Sequence, residues 1–111
     1  MNTIRTPKLL GQLLPGATTL ATLYTVPPST RCHADKLFIC NNAAVATTFR
    51  VSIAAAGEPD NPRHYLYYDA ALGANTTQML EVDLRLSPTD VVRIYTPGAN
   101  VAFNLFGTEE I

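Results

Sequence analysis

Residues 80–86 read Leu80-Glu81-Val82-Asp83-Leu84-Arg85-Leu86, with an apolar side chain at every even position and a charge at every odd one. Successive side chains point to opposite faces of a strand, so this period of two gives one aliphatic face and one charged face. A helix would scatter the four aliphatic groups around its circumference. The stretch therefore predicts an amphipathic strand with a single dry face, which must be covered by a second layer.

The same period recurs on both sides, with turn residues between repeats. Downstream, Ser87-Pro88-Thr89-Asp90 turns into a strand over 91–96, and Pro97-Gly98-Ala99-Asn100 turns into a last strand with Val101, Phe103 and Leu105 inward. Upstream, Gly73-Ala74-Asn75 follows an aromatic strand over 64–70, in which simple alternation puts Tyr65 and Tyr67 on one face, Leu66 and Tyr68 on the other. Before the polar loop at 57–62, Phe49, Val51 and Ile53 alternate with Thr48, Arg50 and Ser52. Residues 31–41 form a further strand whose run Leu37-Phe38-Ile39-Cys40 predicts cover on both faces, with a bulge at Asp35 and Lys36. Residues 18–26 form another, ended by Pro27-Pro28-Ser29. About seven strands result, and no helical stretch is long enough to cross between parallel strands. The expected fold is all-β, an antiparallel β-sandwich with Phe49, Val51, Ile53, Leu80, Val82, Leu84, Phe103 and Leu105 in its core.

Residues 1–16 read as a segment apart from a sandwich domain at 17–111. Pro7, Gly11, Pro15 and Gly16 interrupt helix and long strand alike, yet Leu9, Leu10, Leu13 and Leu14 are too apolar for a solvated tail. The segment is expected to be an extended arm, too broken for a core strand, lying on its own domain or on a neighbour. These four leucines, with Tyr65 and Tyr67, are the expected protein-interface residues.

Composition limits the functions open to such a domain. A chain of 111 residues that is 47% hydrophobic and only 15% charged is neither a disordered tail, a coiled coil nor a basic nucleic-acid arm. Its net charge of −1 suggests neither DNA nor an anionic membrane as partner. No stretch approaches the roughly 20 apolar residues that cross a bilayer, and Gln12, Pro15 and Gly16 interrupt any signal-peptide core after Arg5 and Lys8. The charges are uneven along the chain, with a net +4 over residues 1–56 and −5 over 57–111. Folding can interleave these halves; alternatively they complement one another between copies.

No catalytic constellation assembles. Cys32 and His33 are adjacent and point to opposite faces of a strand, so with Cys40 they make neither a zinc site nor a nucleophile–base pair. Cys32 and Cys40 are also too far apart along an extended strand for a disulfide, and both read as small buried apolar groups. Glu81 and Asp83 share a face at about 7 Å, a spacing near that of glycosidase carboxylates, but on a solvated surface beside Arg85. No glycine-rich phosphate loop is present. Neither an enzyme nor a cofactor is expected. The tyrosines at 65, 67 and 68 suit subunit packing, with stacking on a sugar or base as the alternative.

Several strings, in order, resemble a family of small proteins of tailed bacteriophages and prophages. They are Leu9-Leu10-Gly11-Gln12, Ala17-Thr18-Thr19-Leu20, Leu23-Tyr24-Thr25-Val26-Pro27, Ile39-Cys40-Asn41-Asn42, Thr47-Thr48-Phe49-Arg50-Val51, His64-Tyr65-Leu66-Tyr67-Tyr68-Asp69, Thr89-Asp90-Val91-Val92 and Phe103-Asn104-Leu105-Phe106-Gly107. The resemblance covers nearly the whole chain from residue 9. It implies a non-enzymatic virion structural protein with a jelly-roll-like or immunoglobulin-like sandwich, most simply a capsid decoration (cement) protein. The alternative it leaves is a tail fibre or baseplate module, with the tyrosines and the loops at 57–63 and 97–100 as the rim of a receptor or glycan pocket. The implied partners are further copies of itself, a trimer being favoured, and a phage capsid or tail protein. The implied location is the virion, after assembly in the host cytoplasm.

Overall fold

The computed structural model describes residues 3–111, and their strands are β1 (Arg5–Leu13), β2 (Ala21–Thr25), β3 (Arg31–Asn41), β4 (Thr47–Ala54), β5 (Tyr65–Leu72), β6 (Thr77–Leu86), β7 (Val91–Tyr95) and β8 (Val101–Glu110). They form two four-stranded antiparallel sheets, ordered β1-β8-β3-β6 and β2-β7-β4-β5. Every connection crosses between the sheets except β4 to β5. This eight-stranded wiring is a jelly roll. It differs from the immunoglobulin arrangement, whose sheets hold a different strand set in a different order.

The predicted core is the observed one. Phe49, Val51, Leu80, Phe103 and Leu105 are buried, while Ile53, Val82 and Leu84 are partly buried against them. Leu37, Ile39, Val92 and Ile94 are among the further buried residues of the layer between the sheets.

The segment expected to be an arm is instead an edge strand of the first sheet. β1 pairs with β8 from Arg5 opposite Glu110 to Leu13 opposite Phe103. Pro7 lacks a ladder donor, and an edge position is where a sheet tolerates that. Leu10, at a register shift between Leu9 and Gly11, faces the core and is 9% exposed. Gly11 permits the approach of the other sheet, since a Cβ there would lie 2.3 Å from the Leu23 carbonyl oxygen.

Bulges decide which residues face outward. The expected irregularity at Asp35 is present, with a register shift between Ala34 and Lys36 against both neighbouring strands. Along β4 and β5 the register shifts on both sides of Val51, and Asp69 adopts a left-handed conformation at φ 52°. Tyr67 therefore opposes Val51 and packs on Phe49, ring centroids 5.9 Å apart, whereas Tyr65 opposes Ser52 and meets Tyr68 on the outside at 5.2 Å. The expectation that Tyr65 and Tyr67 share a face is corrected by this extra residue in β5.

The loops gather at two ends. Residues 14–20, 42–46, 73–76 and 96–100 meet at one, where Thr18 donates to Thr96 and Asn75 to Ala43. Buried Asn41 stitches this end together by donating to the Val45 and Gly73 carbonyls and accepting from the Ala43 amide. Residues 26–30, 55–64 and 87–90 meet at the other, fastened by Asp90, whose side chain accepts from Ala56 and Ser87 amides.

Candidate interaction faces

The outer face of the first sheet carries an apolar band across all four strands. Leu9 on β1 opposes Phe106 on β8, and Phe38 on β3 opposes Met79 on β6. Phe38 and Phe106 meet edge to face at 5.7 Å. Phe106 and Leu9 are each 40% exposed and Met79 42%, so these side chains are only half covered by one another. The run at 37–40 was expected to be covered on both faces. Only Leu37 and Ile39 are covered; Phe38 and Cys40 look outward and are half-buried. Cys40 is thus not the buried apolar group the sequence suggests, whereas Cys32 is, and its burial pushes its thiol pKa up.

Polar groups frame the band. On one side Gln12 donates to Asn104 across β1 and β8. On the other are Lys36, Glu81, Asp83, and His33 bonded to Asp83 at 2.6 Å. Glu81 and Asp83 do share the outer face, as their spacing implies, but Asp83 is occupied by His33 and lies 3.7 Å from Arg85.

Beyond His33 the same face ends in a cleft of about 430 Å³ lined by Arg5, Arg31, His33, Arg85, Thr108 and Glu110, among others. Arg5 donates to Glu110 at 2.8 Å. At the neighbouring edge Glu109 turns inward, accepting from Lys8 at 3.1 Å and from the Tyr24 hydroxyl at 2.5 Å across the two sheets. The Tyr24 bond holds the Glu109 pKa below the usual carboxylate value, with Lys8 adding to the effect. Burial, and then the same bond, push the Tyr24 phenol far up.

The second sheet carries a different cluster. The Arg50 guanidinium packs on the rings of Tyr68 (4.0 Å) and Tyr95 (4.5 Å) and donates to both oxygens of Asp69 at 2.7 and 3.3 Å. Tyr65 closes the group by donating to Asp60 at 3.0 Å, and a depression of about 470 Å³ lies among Arg50, Asp60, Pro62, Tyr65 and Tyr68. Through Arg50 on β4, Tyr68 and Asp69 on β5 and Tyr95 on β7, the cluster ties these three strands together.

No family model matches the chain, and no curated protein matches it. Solved structures do share its fold. A chain in the structure of infectious bursal disease virus, Gx strain, superposes over 99% of this chain with a TM-score of 0.55 at 10% identity. A chain from the Gt strain does so over 99% with a TM-score of 0.50 at 12% identity. This chain spans about a third of each, 33% and 29% respectively. At such identity the likeness is one of fold: a sandwich also found in a virus particle.

The sequence-predicted interface residues are dispersed over the molecule. Leu9 belongs to the outer band, Leu10 to the core, Leu13 packs partly buried against the core, and Leu14 is exposed at 54% beyond the end of β1. Tyr65 stands on the second sheet's outer face and Tyr67 faces inward. The two loops expected to rim one pocket lie at opposite ends: 57–63 borders the tyrosines, whereas 97–100 lines a cavity with Asn41, Val45 and Thr47. Phe38, Met79 and Phe106 were missed as surface residues. The signal for Phe106 was present, because it follows inward Leu105 and so must face out.

Proposed function

We propose that this chain is a non-enzymatic structural protein of a tailed-phage virion, a capsid decoration protein that docks through the outer face of its first sheet. The observation that carries this reading is the apolar band of Leu9, Phe38, Met79 and Phe106, which crosses a complete sheet and has no cover within the described chain. The jelly roll shared with a virus-particle chain supports a particle role, and the phage-like strings support the kind of particle. Half-exposed side chains of this size give each copy a weak apolar contact. Many copies, or a trimer presenting three bands at once, convert weak contacts into lasting attachment.

The tail fibre or baseplate alternative has less support. Its two proposed rim loops are at opposite ends of the sandwich, and the Arg50 guanidinium is already in contact with the Tyr68 and Tyr95 rings and Asp69. The discriminating experiment is quantitative mass spectrometry of purified particles. Hundreds of copies per particle support decoration, tens support a tail module, and absence from particles refutes both.

A further inference from the structure

We propose that the arginine-lined cleft at the end of the first sheet is a carboxylate-recognition site that takes an acidic segment of the protein on which this chain docks. The inference rests on the docking reading and adds to it the chemistry of the partner. Register alone assembles the site. Arg5, Glu110 and Arg31 lie side by side on β1, β8 and β3, and two residues further along β3 His33 opposes Arg85 on β6. Strand spacing puts the Arg5 and Arg31 backbones about 10 Å apart, close enough for one ligand segment to reach both.

The lining is strongly cationic for a protein of net charge −1. It brings three guanidinium groups together with one carboxylate, and that carboxylate already has Arg5 at 2.8 Å. Among the described residues Arg31 has no ion pair, and the contact of Arg85 with Asp83 is long at 3.7 Å. Two arginines lining a cleft of about 430 Å³ are therefore left without a close carboxylate partner, and a guanidinium is the group suited to bind a planar oxyanion in bidentate fashion. The concave site also focuses the positive potential.

The surroundings favour a short acidic peptide over a nucleic acid. Asp35, Asp83 and Glu81 stand on the same face immediately beyond His33, so a continuous phosphate backbone would meet carboxylates after leaving the cleft. A protein segment has no such repeat. Its acidic residues fit the cleft while its apolar residues lie over Leu9, Phe38 and Phe106 further along the face.

The test uses the full chain in solution and a fluorescein-labelled hexaglutamate peptide, with hexaglutamine, free glutamate and a six-residue oligothymidylate as comparison probes. Hexaglutamate binding, read by fluorescence anisotropy, is expected to fall at least 10-fold in Arg31→Gln and in Arg85→Gln, to weaken with added salt, and to be partly kept in Arg31→Lys. Both residues are at the surface, and unchanged circular dichroism of each variant excludes misfolding. The proposal is overturned if hexaglutamate does not bind, binds the variants equally, or binds no better than free glutamate at equal carboxylate concentration. Tighter binding of oligothymidylate overturns it in favour of a phosphate polymer. Copy number in particles is measured separately, so failure here leaves the docking reading standing and failure there leaves the cleft's chemistry intact.

Discussion

Phe103 and Phe106 sit three residues apart on β8 and face opposite ways, which makes them a paired test of the face assignment. Phe103 is fully buried between Leu13 and Ile39 on the adjoining strands, so truncation to alanine leaves a phenyl-sized void in a close-packed layer. The expected loss is about 3–5 kcal/mol. Phe106 is 40% exposed, and its main aromatic partner is Phe38, an edge-to-face contact worth about 0.5–1.5 kcal/mol. Phe106→Ala should thus destabilise by about 1–2 kcal/mol once its partial burial is added. At a urea slope of about 1.5 kcal/mol/M, losses of 4 and 1.5 kcal/mol move the unfolding midpoint by about 2.7 and 1 M. Attachment to particles should show the reverse order: abolished by Phe106→Ala, and retained by Phe103→Ala at temperatures where that variant is folded. Equal losses of stability would refute the assignment of faces. Undiminished attachment of Phe106→Ala would refute the band as the docking surface.

Deleting residues 1–14 removes an edge strand and the buried Leu10, and should lower the melting temperature by about 10 °C or more and leave a domain prone to self-association. A truncated chain with native melting and monomeric sedimentation would contradict that. Glu109, with its pKa held down, contributes stability present above the ordinary glutamate value of about 4.3 and lost as the pH falls through its lower folded value. Tyr24, with its pKa raised, contributes stability present below about pH 10 and lost as the pH climbs above that. Tyr24→Phe should cost about 1.5–3 kcal/mol at pH 7 and flatten both limbs in urea melts collected across pH. A thiol reagent should label Cys40 in the native protein but Cys32 only on unfolding, and Cys32→Ser should cost about 1–3 kcal/mol where Cys40→Ser costs almost nothing. Equal labelling rates would contradict this.

The sandwich was legible because several of its strands alternate apolar and polar residues over long enough stretches to show a dry face. Leu80–Leu86 and Phe49–Ile53 name their inward faces directly, and Phe103 and Leu105 do so for β8. What alternation cannot carry across is a bulge. One extra residue near Leu66 reverses the relation between Tyr65 and Tyr67, and another at Leu10 leaves Leu10 and Gly11 both facing the other sheet. Proline misled for a related reason: Pro7 is incompatible with a central strand but not with an edge, and edge position is a property of topology. The arginine cleft was illegible for the same cause, since Arg5, Arg31 and Arg85 are brought together by pairings that local sequence does not encode.

Pairing β1 with β8 has a consequence for the time course of folding. Arg5 opposes Glu110, so the first strand must wait for the last before its edge of the sheet can close. During synthesis the β1 edge, with Leu10 on it, stays unpaired until β8 has left the ribosome. With most of its pairings non-local, the domain belongs among slow folders, in the millisecond-to-second range, and an interrupted chain lacking β8 would leave β1 with no native partner and β3 paired only with β6. Each newly made chain would then pass through an unclosed state, in which the strand that seals the fold is also the one that carries Phe106.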